Sequence, residues 1–232
     1  NRVMSIFFVS GIDTDAGKTY VTGALLKYLL DNGIKAITFK LIQTGSNDNR
    51  SIDIDAHRRI AGMTETDLDK AGLTHPQVFT YPASPHLAAE LDKREIDFVA
   101  IEDALNRVEK EYDVVLVEGA GGLMVPLTRE LLTVDYAAEK GWPLILVTSG
   151  KLGSINHTLL SLEAAASRDM KIAGVIYNDY PEIDRIIEDD AKIYMKDYIA
   201  KHYPGCAWCR TPVYRENGFD GELDFSAIFK LG

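Results

Sequence analysis

A short segment near the amino terminus has the residues and spacing of a phosphate-binding loop. Gly11 to Thr19 read GIDTDAGKT, follow an apolar run and precede a segment with helical periodicity. Backbone N–H groups at such a turn, together with the helix N-terminus, offer partial positive charge to phosphate oxygens. Lys18 would add a full charge, and the Thr19 hydroxyl could ligate magnesium. The alternative is a plain glycine-rich turn, since Gly11 lies one residue early and Ile12 takes the usual first-glycine position.

Charged side chains follow two further apolar runs. Glu118 comes directly after Val114 to Val117, and a carboxylate at the end of a buried strand can hold Mg²⁺ through oxygen. Lys40 ends another apolar run, where it is either a solvated strand terminus or a second cation for a transferred phosphoryl group. Asp53 and Asp55 begin a helical segment, where the helix dipole favours a negative charge. Each could serve only that purpose, or one of them could reach the metal.

Weaker signals lie in the second half of the chain. Gly150 to His157 form a loop that opens a helix, so its N-terminus could bind a second anion, or Ser154 could be an ordinary N-cap. Asn178 ends a fifth apolar run. Its side-chain amide carries both a donor and an acceptor, which match the N6 donor and N7 acceptor of adenine. Cys206 and Cys209 lack the further ligands of a zinc site, so we interpret them as structural.

The elements that must position these residues alternate between strands and helices. The apolar runs are continuous and rich in Val, Ile and Phe, as in strands covered on both faces of a parallel sheet. We therefore predict a doubly wound α/β fold, mainly parallel, as a single domain over residues 1–232, with ligands at the carboxyl edge of the sheet. Residues 62–85 are polar and are expected to decorate that edge. The predicted strands are Ser5 to Ser10, Ala36 to Lys40, Asp113 to Val117, Leu144 to Ser149 and Ile172 to Tyr177.

Helical periodicity between the runs predicts which residues face the core. Each stripe repeats at intervals of three or four residues, which places its members on one helix face. The stripes are Val21, Ala24, Leu25, Tyr28 and Leu29; Ile101, Leu105, Val108 and Tyr112; and Ile155, Leu159, Leu162 and Ala166.

Composition excludes several classes of protein. The 232 residues have a mass of 25.7 kDa and are 46% hydrophobic and 26% charged, which excludes a disordered chain. The net charge of −10 argues against general nucleic-acid binding, since an acidic surface repels a phosphate backbone. No apolar run approaches the roughly 18 residues of a membrane span. Two cysteines cannot build a disulfide scaffold, and Asn1 to Val9 make a poor signal peptide, so we expect a cytoplasmic protein.

Four ordered motifs together resemble the dethiobiotin synthetase family, whose members close the ureido ring in biotin synthesis. Gly11 to Thr19 are similar to its G-T-D-T-x-V-G-K-T, including the long glycine spacing, and Phe79 to Ala88 resemble its F-x-x-P-x-S-P-H. Val117 to Gly122 and Lys151 to His157 resemble two more of its motifs. The chain departs from the family at three positions, with Ile12 for Thr, Ala16 for Val, and Leu41 for the Pro after the second lysine.

The resemblance implies a P-loop fold, ATP as co-substrate, Mg²⁺ as cofactor and a homodimer with shared active sites. The substrate would be 7,8-diaminopelargonic acid, one amine of which takes up CO₂ to give a carbamate. The carbamate attacks the γ-phosphate of ATP, and the second amine then closes the ring and expels phosphate. Because a carbamate is already an anion, positioning and charge stabilisation are the main tasks of the protein.

The family motifs also imply a set of site residues. Lys18, Lys40, Thr14 and Thr44 would act at the reacting groups. Thr19, Asp55 and Glu118 would hold the metal. The implied ATP-binding residues are Asp13, Thr14, Asp15, Ala16, Gly17, Lys18, Thr19, Tyr20, Glu118, Gly119, Gly121, Asn178, Pro212, Val213 and Glu216. The implied substrate-binding residues are Thr14, Lys40, Thr44, Lys151, Leu152, Gly153, Ser154, Ile155 and Asn156.

Two other classes of protein share part of this pattern. Partner-regulated ATPases of the MinD, ParA and nitrogenase iron-protein kind have a similar sheet and loop, but they carry a signature lysine where this chain has Asp13. Amidating ligases of the cobyrinic acid diamide type would normally need a glutaminase domain, for which the length leaves no room. The sequence therefore favours a small-molecule ligase over a regulatory switch.

Overall fold

The computed structural model describes residues 5–230, so the first four residues of the predicted non-signal segment lie outside the described part of the chain. Strands and helices alternate from the first strand onward. In chain order the elements are β1 (Ser5–Gly11), α1 (Lys18–Asp31), β2 (Ala36–Lys40), α2 (Ile52–Ala61), α3 (Asp67–Lys70), α4 (Pro85–Leu91), α5 (Phe98–Glu109), β3 (Val114–Gly122), α6 (Thr133–Lys140), β4 (Leu144–Ser149), α7 (Ser154–Ala166), β5 (Ile172–Asn178), α8 (Arg185–His202), β6 (Ala207–Thr211), β7 (Tyr214–Arg215), β8 (Gly218–Phe219) and α9 (Ser226–Phe229).

Six of the strands form one parallel sheet in the order β2-β3-β1-β4-β5-β6. The predicted doubly wound fold and the five predicted strands are confirmed. The sequence missed β6, and β3 runs on to Gly122, past the predicted end at Val117. The chain leaves β1 toward β2, whereas β4 lies on the other side of β1, so the connections diverge at the carboxyl end of β1. Such a divergence opens a crevice, and ligands bind there in sheets of this kind.

Apolar side chains cover both faces of the sheet, which explains why its strands are continuous hydrophobic runs. One face packs around Phe39 and Val117, and the other packs around Leu25 and Val147 against α1. The predicted core stripe of α1 is confirmed, since its five members are buried. The predicted α7 stripe is largely wrong, because only Leu162 of its members is buried. The core-facing residues of α7 are Ser154, Thr158, Leu162 and Ala165.

The polar segment at residues 62–85 adds a layer beyond the end of β2. Phe79 donates its N–H to the carbonyl of Gln43 at 2.8 Å, and Gln43 donates to the carbonyl of Gln77 at 2.8 Å. The segment therefore lies along the carboxyl edge, as predicted. No helix within residues 5–230 is long and apolar enough to cross a membrane.

Candidate active site

The loop between β1 and α1 is built to receive an anion. Gly17 precedes α1 with φ +86°, a conformation that glycine adopts at little cost, and a Cβ there would collide with the amide of Asn178. Within residues 5–230 no acceptor meets the backbone N–H groups of Asp15, Gly17, Lys18, Thr19 and Tyr20. Such unpaired donors at a helix N-terminus are the groups that bind phosphate oxygens. Ala16 is buried and Ile12 packs against the core, so the two unusual loop residues serve packing.

Lys18 crosses from this loop to the end of β3. Its Nζ donates to the carbonyl of Gly121 at 2.9 Å, and the side chain is buried. Burial and the nearby charge of Lys40 lower the pKa of Lys18 to about 8, although Glu118 and Asp53 oppose the shift. The contact holds the Lys18 ammonium group at the cavity, where it could bind a phosphate.

Lys40 lies between two carboxylates at the end of β2. Its Nζ is 2.6 Å from Oδ2 of Asp53 and 3.0 Å from Oε2 of Glu118, and it also donates to the carbonyl of Gly119 at 3.1 Å. Burial alone would lower the pKa of Lys40, but the charges of Glu118 and Asp53 outweigh it and raise that pKa. Burial likewise opposes ionisation of Glu118, yet Lys40 brings the pKa of Glu118 well below its usual range. The buried pair is therefore charged on both sides.

The structure places the two aspartates of α2 in different surroundings. Oδ1 of Asp53 accepts a hydrogen bond from the Thr19 hydroxyl at 3.0 Å, which places Asp53 beside the phosphate loop. Asp55, the residue that the family motifs suggested, instead pairs with Arg50 through both carboxylate oxygens, at 3.0 and 3.2 Å. It borders a separate cavity of about 300 Å³. Two residues along a helix rotate a side chain by roughly 200°, so only one of them can face the loop.

These groups meet in a cavity of about 700 Å³ at the carboxyl edge of the sheet. Of the predicted site residues, the cavity is lined by Thr14, Asp15, Gly17, Lys18, Thr19, Tyr20, Lys40, Thr44, Gly121 and Lys151. Glu118, Ala16 and Gly119 do not line the cavity. Glu118 and Gly119 contact Lys40, which does line it. The sequence did not single out Gln43 or the Tyr180 to Ile183 segment, which also line the wall.

A second groove, of about 1080 Å³, continues from this cavity past Tyr180 and Pro181, which border both. The β7–β8 hairpin forms its other side and brings in the predicted residues Val213 and Glu216. The groove therefore adjoins the cavity at the phosphate loop. Pro212 does not line it, but would contact a Cβ at Gly221 beneath the hairpin.

The buried amide of Asn178 contacts the backbone at both ends. Its Nδ2 donates to the carbonyl of Ala16 at 3.1 Å, and its Oδ1 accepts from the N–H of Tyr180 at 3.3 Å. Both ends of the buried amide are thus bound to backbone, and one of them holds the phosphate loop. Each end of an amide can take a further partner, so a base contact would be additional to this role.

The start of α7 presents a second set of free donors. Gly153 is the N-cap with φ +95°, so Ser154 is the first helical residue and not the cap, and its Oγ lies 3.2 Å from that of Ser149. Within residues 5–230 the N–H groups of Ile155 and Asn156 meet no acceptor. Lys151 reaches the 700 Å³ cavity, whereas Leu152 is 87% exposed. Of this loop and the start of α7, only Lys151 lines that cavity.

A smaller cavity of about 390 Å³ lies on the far side of Thr14 and borders α7. Thr14 lines both this cavity and the larger one, so the two adjoin. The wall of the small cavity is largely apolar and includes Leu123, Met124 and Leu160. An aliphatic chain with polar groups at one end would suit such a path.

The cysteines take no part in the site. Cys206 and Cys209 are free thiols, and burial raises the pKa of Cys206 to about 12 and that of Cys209 to about 11. They are therefore structural, as predicted.

Comparison with known proteins separates the two classes that the sequence left open. A family model described as an AAA domain matches residues 6–202. Solved structures with a similar fold include a putative plasmid partition protein from Borrelia burgdorferi bound to AMPPNP, with 11% identity, a TM-score of 0.55, and coverage of 98% of this chain and 95% of that one. A ParA family ATPase from Chlorobium tepidum is 16% identical, with a TM-score of 0.51 and coverage of 92% and 86%. At these identities the likeness shows the fold alone.

Sequence relatives are much closer. The ATP-dependent dethiobiotin synthetase of Pasteurella multocida is 48% identical, over 86% of this chain and 93% of its own length. That of Haemophilus influenzae is 52% identical, over 78% of this chain and 95% of its own length. That of Chlorobaculum tepidum is 49% identical, over 78% and 76%. The partner-regulated switch is therefore not favoured, and this chain belongs to the ATP-dependent dethiobiotin synthetase family.

Proposed function

We propose that this chain forms dethiobiotin from 7,8-diaminopelargonic acid, CO₂ and ATP, with the reaction centred on the 700 Å³ cavity. One observation carries the proposal. Five unpaired N–H groups, the ammonium groups of Lys18 and Lys40, and the oxygens of Thr19 and Asp53 all converge at that cavity. Unpaired donors and two cations suit a triphosphate and a carbamate, both of which are anions.

The protein's part in the reaction is to position the reacting groups. The N–H groups of the phosphate loop would hold the β- and γ-phosphates, with Lys18 at the bottom of the crevice. Lys40, on the opposite wall, would bring the carbamate oxygen into line with the γ-phosphorus. That oxygen forms the new P–O bond while the bond to ADP breaks. The second amine then attacks the carbamate carbon, closes the ring and releases inorganic phosphate.

The oxygen donors at the cavity fit Mg²⁺. Magnesium prefers one or two carboxylates together with substrate phosphates, and retains some of its waters. Thr19 and Asp53 would hold it at the cavity wall, with Glu118 in the layer behind. Within residues 5–230 no cluster of three acidic, His or Cys side chains could hold a metal unaided, in keeping with a site completed by phosphate. The ion would neutralise charge on the phosphates.

We further propose a homodimer in which α7 of one chain completes the site of the other. The free N–H groups of Ile155 and Asn156 suit the substrate's carboxylate, yet the loop before them faces outward. Exposed Leu152 and Leu160, at 87% and 59%, would be covered by a partner. The small apolar cavity beside Thr14 would take the methylene chain. The single domain and the cytoplasmic location stay predictions.

A product assay tests the proposed reaction. The diamine, ¹³C-bicarbonate and ATP are supplied together and then omitted one at a time, and the product is identified by mass spectrometry. We expect one labelled carbon in dethiobiotin and one phosphate released per ring. ATP hydrolysis that proceeds without the diamine, with no labelled product, would overturn the proposal.

A further inference from the structure

Glu118 is held from two sides by different groups. It is completely buried, and its Oε2 faces Lys40 at 3.0 Å. The other oxygen, Oε1, accepts from the Thr22 hydroxyl at 2.9 Å and lies 3.2 Å from Nε2 of His57. His57 is itself completely buried and has no place in the reaction as derived above.

The neighbours of His57 determine which ring nitrogen carries the hydrogen. Nδ1 of His57 lies 2.8 Å from Oγ1 of Thr38, and that same oxygen receives a hydrogen bond from Nη1 of Arg58 at 2.7 Å. A guanidinium can only donate, so the hydroxyl hydrogen of Thr38 remains free to point at Nδ1. If Nδ1 also carried a hydrogen, the buried Thr38 hydroxyl would have no acceptor there. The ring hydrogen therefore sits on Nε2 and faces Glu118.

The start of this chain of donors is rigid. Asp69 accepts from Nε and Nη2 of Arg58 at 2.8 and 2.9 Å, and Thr74 donates to Asp69 at 2.6 Å. Arg58 is thus fixed before it reaches Thr38. Hydrogen bonds then run in one direction, from Arg58 through Thr38 and His57 to Glu118.

Helix α2 ties this chain to the cavity. Asp53 and His57 are four residues apart on it, so they lie on one face. Asp53 contacts Thr19 and Lys40, and His57 contacts Glu118. The register of a single helix therefore positions both carboxylates that flank Lys40.

We propose that His57 is a positioning residue, whose Nε2–H fixes Oε1 of Glu118 so that Oε2 faces Lys40, which lines the nucleotide cavity. The inference rests on the proposed function, because it gives Glu118 a part in metal and phosphate binding. Groups that orient a metal-site carboxylate in this way typically change metal affinity or activity by about 10- to 100-fold when they are removed. A histidine present only for packing would have no such effect.

The first experiment needs no substitution. Two-bond ¹H–¹⁵N spectra of the nucleotide-free and metal-free protein distinguish Nε2–H from Nδ1–H rings, and the five histidines are few enough to assign with a His57→Gln sample. We expect the Nε2–H form for His57, and for Thr38→Ser as well, because serine keeps the hydroxyl. An Nδ1–H ring would overturn the proposal.

The second experiment compares His57→Phe with His57→Gln. Phenylalanine fills the space without a donor, whereas the glutamine amide can replace Nε2–H. We expect His57→Phe to raise the Mg²⁺ concentration for half-maximal turnover by about 10- to 100-fold, and His57→Gln to restore most of the loss. His75→Phe is the matched control, a nearby buried histidine that contacts Thr74 and not Glu118.

The outcomes separate this inference from the function on which it rests. If the wild-type protein needs no Mg²⁺ for turnover, the proposed metal role is wrong, and the spectra still decide the orientation of His57. If the wild type needs Mg²⁺ but folded His57→Phe needs no more of it, the positioning role is wrong. Equal losses in His57→Phe and His57→Gln would also overturn it.

Discussion

The Nζ of Lys40 lies 3.0 Å from Oε2 of Glu118, and β2 and β3 hold the two residues opposite each other in register. Both side chains are buried, so neither charge is solvated by water. Breaking a buried pair by removing one partner typically costs about 3–5 kcal/mol, because the other charge is left uncompensated. The site thus depends on a cation between Glu118 and Asp53.

Lys18→Gln tests the phosphate loop. The substitution keeps a polar side chain of nearly the same length but removes the charge. Losing one such contact at a transferring group typically costs about 10²-fold or more in turnover, and we expect a loss of that size. Steady-state kinetics measure it, with circular dichroism to show that the fold is intact. Near-full turnover would contradict the assignment.

Asp53→Asn and Asp55→Asn form a matched pair on α2. Asp53 contacts Thr19, so its substitution should raise the Mg²⁺ requirement about 10-fold or more. Asp55 pairs with exposed Arg50, so its substitution should leave that requirement unchanged. Turnover is measured across a Mg²⁺ titration. Equal effects would show that the nucleotide-bound site differs from the arrangement seen here.

Gly153 tests the carboxylate anchor. A Cβ at this position would meet nothing within 4 Å in the chain itself, but φ +95° strains any side chain. Gly153→Ala carries the same backbone strain without the bulk and is the control. We expect Gly153→Trp to raise the KM for the diamine far more than that for ATP, and Gly153→Ala to have a small effect. An unchanged diamine KM in the tryptophan variant would exclude the anchor.

Mixing two variants tests the shared site, at a diamine concentration far below the raised KM of Gly153→Trp, so that each variant alone is nearly inactive. A dimer of one Lys18→Gln chain and one Gly153→Trp chain would contain one site with both defects and one site with neither. If all dimers form equally, about a quarter of wild-type activity should return after subunit exchange. If each chain builds its own site, the mixture stays inactive. Light scattering would show whether the dimer exists, and an active monomer would contradict the proposal.

Asn178→Ala distinguishes loop support from base recognition. Because the Asn178 amide holds the carbonyl of Ala16, its loss should weaken ADP and GDP binding by similar factors, by about 5- to 10-fold for one hydrogen bond. Isothermal titration with each nucleotide gives the two factors. A loss confined to ADP would instead assign Asn178 to the base.

The buried pair of Arg58 and Asp69 predicts how stability depends on pH. Burial opposes ionisation of Asp69, but Arg58 outweighs it and holds the pKa of Asp69 well below its ordinary value. Because the folded pKa is depressed, the stabilisation is complete above the ordinary pKa of about 3.9 and is lost as the pH falls below it. Asp69→Asn should cost about 3–5 kcal/mol at pH 7, and less as the pH is lowered toward 3. Urea unfolding at several pH values measures this.

Asp55→Asn is the control for that series. Its ion pair with Arg50 is about half exposed on both sides, and exposed pairs contribute roughly 0–1 kcal/mol. Its effect on unfolding should be small at every pH. An equally large effect at Asp55, or no pH dependence of the Asp69 difference, would contradict the interpretation.

The sequence by itself determined the sheet and the charged ends of its strands. Five apolar runs predicted five of the six strands of the main sheet, because residues buried on both faces leave a local pattern. Lys18, Lys40 and Glu118 could be identified because Lys18 begins a helix, Lys40 ends a strand, and Glu118 directly follows the apolar run of β3. The short strand Ala207–Thr211 escaped detection, since it lies at the sheet edge and includes an exposed arginine.

Only the tertiary structure decided which polar groups meet. Ser51 caps α2, and its position sets the helical phase that turns Asp53 toward Thr19 and Asp55 toward Arg50. The sequence around Asp53 and Asp55 does not show which of the two side chains faces the phosphate loop. The contacts of His57 with Glu118 and of Asn178 with Ala16 join residues 61 and 162 positions apart. Such pairs depend on how helices pack over the sheet, and local periodicity carries no record of that packing.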